Sequence, residues 1–92
     1  MAFKIKYYRQ AVIDAAKLQK DDPKAFKKLK KLELELAEHP RTGTGKPELM
    51  TEPGRKGQWS RRITQKHRLV YEIYDNEVVV IILSTYGHYD DK

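Results

Sequence analysis

The sequence predicts an α+β domain, with two N-terminal helices packed on one face of a small, mainly antiparallel four-stranded sheet in the order β-α-α-β-β-β. Three observations predict it. In residues 23–39, Phe26, Leu29, Leu32 and Leu36 recur at three- and four-residue steps, the period of a helix with one apolar face. Residues 57–74, GQWSRRITQKHRLVYEIY, alternate on either side of a short polar turn, as two paired strands do. Residues 78–83, VVVIIL, are apolar on both faces and suit a central strand.

Taken in order, Phe3, Ile5 and Tyr7 alternate with Lys4, Lys6 and Tyr8, which predicts a first strand with one wet face. Residues 9–20 switch to a helical stripe of Val12, Ala15, Ala16 and Gln19 with Ile13 beside it, and its small residues predict close packing. Asp22-Pro23 supplies an N-cap followed by proline at the first helical position of the second helix. On that helix Lys24, Lys27, Lys28, Lys30 and Lys31 precede Glu33, Glu35 and Glu38, an order that opposes the helix dipole. Such lysines either meet something anionic or simply solvate the face.

Pro40 ends the helix, and RTGTGKPELMTEPGRKG follows as a long irregular connection of the kind that is functional or disordered. In the hairpin, Trp59, Arg61 and Ile63 share one face, and Ser60, Arg62 and Thr64 the other; Arg68 goes with Val70, Glu72 and Tyr74. Asp75-Asn76 makes the next turn, and after the apolar strand the chain leaves the sheet through Ser84 to Tyr89.

Ninety-two residues, 39% of them hydrophobic, suit one domain spanning 1–92 with one modest core. Nineteen Lys and Arg against thirteen Asp and Glu leave a net charge of +6, so a polyanion such as nucleic acid, or an acidic protein, is the expected partner. The chain has no cysteine, which excludes disulfides and thiolate chemistry. The stretch MAFKIKYYRQ lacks the apolar core of a signal peptide and no apolar run is long enough to span a bilayer, so a soluble, cytoplasmic protein without membrane contact is expected.

Glu48 at the end of the Gly-rich connection, Arg68 in the hairpin and His88 after the last strand are expected to converge on one sheet face. A carboxylate, a held guanidinium and an imidazole make an acid-base set. Each has a plainer reading: an exposed loop acid, an arginine paired with Glu72, and a histidine at a frayed terminus. His39, His67 and His88 show no metal-ligand spacing, so no metal is expected. Gly43 and Gly45 do not form a phosphate loop, and neither Ser60 nor Ser84 sits in a nucleophile elbow.

GKPELM at 45–50, WSRRITQKHRLVYEI at 59–73 and the closing His88-Tyr89 resemble the YoeB/Txe family of bacterial toxins, within the RelE/ParE superfamily. The resemblance implies a RelE-like fold and the toxin of a type II toxin–antitoxin pair. Such a toxin enters the A site of the 70S ribosome and cleaves mRNA without a metal or other cofactor. It assigns Glu48 as general base, Arg68 as the phosphate-binding arginine, His88 as general acid and Tyr89 as a residue that orders the site. Arg61, Arg62, Lys46 and Lys66 are expected to bind RNA phosphates. The implied partners are an acidic antitoxin of the YefM/Axe kind and a second copy of the chain in a homodimer. Here Gly87 precedes the His-Tyr pair, and Asp90, Asp91 and Lys92 follow it. Two other readings stand beside this one, a ParE-like toxin that inhibits DNA gyrase without catalysis, and a noncatalytic RNA- or ribosome-binding module in which Trp59 and the tyrosines stack on bases.

Overall fold

The computed structural model describes residues 2–87. Strand β1 (Lys4–Tyr7) leads into helix α1 (Arg9–Asp21) and helix α2 (Pro23–Glu38); β2 (Glu48–Leu49), β3 (Trp59–Arg62), β4 (Arg68–Tyr74) and β5 (Val79–Ser84) complete the order. The sheet runs β1-β5-β4-β3-β2. Three of its pairings are antiparallel, while β1 lies parallel to β5 with Ile5 opposite Val80.

The α+β class and the two-helix layer are as expected, whereas among the described residues the sheet has five strands and is mixed. The extra strand is β2, two exposed residues paired with Ser60 and Trp59. It is too short and too polar to carry an alternation of its own, so only its partner reveals it. The parallel edge is equally silent in sequence, because a period of two is the same for either direction.

Asp22 both ends α1 and caps α2, its carboxylate accepting from the Ala25 N–H at 3.2 Å with Pro23 in the first turn. Helix α2 then buries Ala25, Leu29, Leu32 and Leu36 along one stripe. These meet Ile63, Leu69 and Tyr71 from the hairpin and Val80 and Ile82 from β5. The helix-facing side of the sheet is thus the core, and Trp59 packs half-buried against it, a core residue more than a stacking platform.

Helix α1 is rotated from the expected stripe. It turns Ala11, Asp14 and Leu18 inward, and leaves Val12 and Ile13 more than half exposed. The cause is polar. The Asp14 carboxylate accepts from the Thr85 N–H at 3.2 Å and from the Gln10 amide at 2.8 Å, so a charged side chain takes an inward position. An apolar period cannot anticipate that.

Candidate functional site

The face of the sheet away from the helices carries the basic residues. Register places them in rows: Glu48 opposite Ser60, Ser60 opposite Val70, and Arg62 opposite Arg68. Directly opposed residues in a ladder point to the same side. Glu48, Arg62 and Arg68 therefore share one face across three adjacent strands, with buried Ser60 and Val70 as the floor between them. The Arg68 Nη1 lies 3.5 Å from the Ser60 Oγ, so its half-buried guanidinium leans toward the strand that holds Glu48's partner.

Lys46 is exposed beside this row, since the neighbouring Gly45 carbonyl accepts from the Arg62 N–H at 2.7 Å. Lys66 is exposed in the turn between β3 and β4, where its N–H donates to the Thr64 hydroxyl at 3.1 Å. His88 and Tyr89 lie outside the described residues. Among the described residues no cluster of His, Asp and Glu is arranged to hold a metal ion, and no helix is long and apolar enough to cross a membrane.

Arg61 does not join this face, and its expected role as an RNA contact is corrected. Its side chain is fully buried on the helix side, where its donors meet acceptors on every edge. Nε donates to the Tyr71 hydroxyl at 3.1 Å. Nη1 donates to Glu35 at 2.8 Å and to the Thr44 carbonyl at 3.3 Å, and Nη2 to the carbonyls of His39 and Thr42. A guanidinium has five N–H donors, and all five are engaged. The Tyr71 hydroxyl in turn donates to the Pro40 carbonyl at 2.8 Å. The irregular segment 39–44 is thus wound around one cation, and it delivers the chain to Glu48.

Glu35 completes the anchor. Its carboxylate accepts from the Thr44 hydroxyl at 2.6 Å and the Thr44 N–H at 2.8 Å, and these bonds with Arg61 hold its pKa below the ordinary carboxylate value. Gly45 docks the same segment on β3. Its φ is +87°, and a Cβ there would stand 2.7 Å from the Arg62 carbonyl oxygen, a backbone atom that cannot step aside. Gly54 has a similar φ of +83° but open space around it. Gly54→Ala should therefore cost about 1–2 kcal/mol of backbone strain, and Gly45→Ala at least about 1 kcal/mol more. Urea unfolding of both variants checks this, and equal losses would show that the docking is dispensable.

His67 is the residue that sequence reasoning passed over. It is buried, its ring 4.6 Å from that of Tyr86, and its Nδ1 accepts from the Gly87 N–H at 2.9 Å. The Arg68 N–H donates to the Gly87 carbonyl at 2.9 Å. Burial lowers the His67 pKa below the ordinary value.

Known proteins share this sequence and fold. The family described as "YoeB-like toxin of bacterial type II toxin-antitoxin system" matches residues 7–89. Toxin YoeB of Synechocystis is 41% identical over 63 residues, covering 68% of this chain and 72% of that one. The YoeB dimer from Staphylococcus aureus superposes with a TM-score of 0.82 at 34% identity, covering 97% of this chain and all of that one. The YoeB–YefM complex from the same organism gives 0.79 at 32% identity with the same coverage. The chain therefore belongs to the YoeB-like toxins of bacterial type II toxin–antitoxin systems.

Proposed function

We propose that this toxin is a ribosome-dependent mRNA endoribonuclease, cleaving in the A site of the 70S ribosome by acid-base chemistry with no metal, and acting in the cytoplasm. The observation that carries the reading is the shared face, which sets a carboxylate on β2 and arginines on β3 and β4 over one helix-free surface. RNA brings its own nucleophile. Glu48 takes the 2′-OH proton, the 2′-oxygen attacks the adjacent phosphorus, and the P–O5′ bond breaks. His88 protonates the departing 5′-oxygen, and Tyr89 helps to order the site. Arg68, with Arg62 beside it, stabilises the extra negative charge of the phosphorane. The products are a 2′,3′-cyclic phosphate and a 5′-hydroxyl.

Lys46 and Lys66, exposed at the margins of the face, contribute attraction to the RNA backbone, which is salt-dependent and independent of sequence. The antitoxin is of the YefM kind, an acidic segment covering the basic face, and a second copy forms a homodimer; the complex and the dimer among the similar structures support both.

The test is primer extension on mRNA programmed into 70S ribosomes, comparing wild type with Glu48→Gln. Cleavage at the A-site codon with cyclic phosphate ends is expected, and loss of the base should slow it by about 10²-fold or more while ribosome binding persists. Intact mRNA in cells whose growth is arrested would overturn the reading in favour of gyrase inhibition.

A further inference from the structure

The geometry points to His67 as a positioning residue, a neutral-imidazole clasp on Gly87 that sets how the residues after β5 approach Arg68. The inference rests on the nuclease reading for its catalytic consequence, and on contacts for the clasp itself.

The three residues that follow β5 are each held by a side chain, two of them by α1 and the third by the turn before β4. The Thr85 N–H donates to Asp14 of α1, the Tyr86 hydroxyl donates to Asp21 at the end of α1 at 2.8 Å, and the Gly87 N–H donates to His67 Nδ1. Lys17 adds its ammonium 4.5 Å from the Tyr86 ring centre. Gly87 is gripped twice, because its carbonyl also accepts from the Arg68 N–H. His67 is itself fixed, its carbonyl accepting from the Ile63 and Thr64 N–H groups and its N–H donating to the Thr64 hydroxyl. The next residue in the chain is His88, the proposed acid. The clasp thus ties the exit of the sheet to the residue immediately before Arg68.

The bond imposes a protonation state. To accept from an amide, Nδ1 must carry a lone pair, so the ring is neutral with its proton on Nε2. A proton on Nδ1 would turn the acceptor into a second donor and break the clasp. The charged groups around the ring are Asp21 and Asp22 at the junction of the helices, which favour protonation, and Lys66 in the turn, which opposes it; Arg68 follows in the chain. Burial is the largest influence, and it favours the neutral ring. The clasp is therefore closed at neutral pH and opens only as pH falls through the lowered value. The unfolded chain takes up this proton first, at about 6.5, so His67 also makes stability decline as pH falls through that window.

The experiment combines a pH titration of the Gly87 amide by ¹⁵N NMR with single-turnover cleavage of ribosome-bound mRNA, in wild type, His67→Asn and His67→Leu. Asn carries an acceptor oxygen near the place of Nδ1 and does not titrate. In wild type the Gly87 amide should move with a midpoint below about 6.5. In His67→Asn the amide should stay hydrogen-bonded and flat with pH, with cleavage restored and the acid-side inflection gone. In His67→Leu the amide should exchange freely and kcat fall roughly 10- to 100-fold with KM little changed. A Gly87 amide that ignores His67 in wild type overturns the clasp, as does a Leu variant with wild-type rate and pH profile. If no protein cleaves mRNA, the nuclease reading fails separately, and the amide titration still decides the clasp.

Discussion

Arg61→Ala should remove about 3–5 kcal/mol of stability, since a fully buried guanidinium is lost and several acceptors lose their donor at about 1–3 kcal/mol for each one left buried. A domain of this size has about 5–14 kcal/mol in total, so the variant should unfold at a much lower urea concentration and melt well below wild type. The loss is large because the acceptors outnumber the charge. Removing the guanidinium takes a donor from the carbonyls of His39, Thr42 and Thr44, from the Tyr71 hydroxyl and from Glu35. Arg61→Lys should recover little, since an ammonium has three donors on a point charge where five donors in a planar fork are needed. The neighbouring Arg62→Ala, exposed on the other face, should stay within about 0.5 kcal/mol of wild type. The Glu35 carboxylate, its pKa held down in the folded state, stabilises the protein above the ordinary carboxylate range. That contribution should fade as pH drops through the lowered value, and Arg61→Ala should show a shallower acid dependence. A variant with wild-type urea midpoint would show that the anchor is ornamental.

Two adjacent arginines with opposite fates show what the sequence carried and what it did not. Alternation alone put Arg61 with Trp59 and Ile63, the core side, and Arg62 with Ser60 and Thr64. The signal for burial was present, and the basic composition of the stretch pulled the reading toward RNA. What could not be read were the acceptors, which come from a helix and an irregular segment 17 to 26 positions away. Helix α2 was legible because its apolar period is regular and its cap is local. The rotation of α1 was hidden because one buried carboxylate, Asp14, answers an amide 71 residues away. Glu48 and Arg68 were legible as residues, and their shared face follows from pairings of β2 with β3 and β3 with β4 that only tertiary structure fixes. His67 is not legible because metal-ligand spacing is the signal a histidine offers in sequence, whereas its ring nitrogen accepts from a backbone amide 20 positions away.

Arg68→Ala should have the opposite signature to Arg61→Ala, with activity lost and the fold kept. The half-buried side chain rests on the helix-free face with its guanidinium 3.5 Å from the Ser60 hydroxyl, and truncating a partly exposed polar side chain there should cost about 1 kcal/mol of stability. In the proposed reaction, however, a fixed cation meets charge that grows as the 2′-oxygen attacks, and losing one such donor slows reactions by about 10²–10³-fold. The loss should fall mainly on kcat, because the phosphodiester's own charge is also met by the ribosome-bound context and by lysines at the margin. Arg68→Lys should recover part of the rate and no more, since it restores charge without the planar fork that spans two phosphate oxygens. Single-turnover cleavage on programmed ribosomes, alongside urea unfolding of the same preparations, separates the cases. If Arg68→Ala cleaves at the wild-type rate while folded, phosphorane stabilisation lies elsewhere on the face, with Arg62 the next residue to truncate.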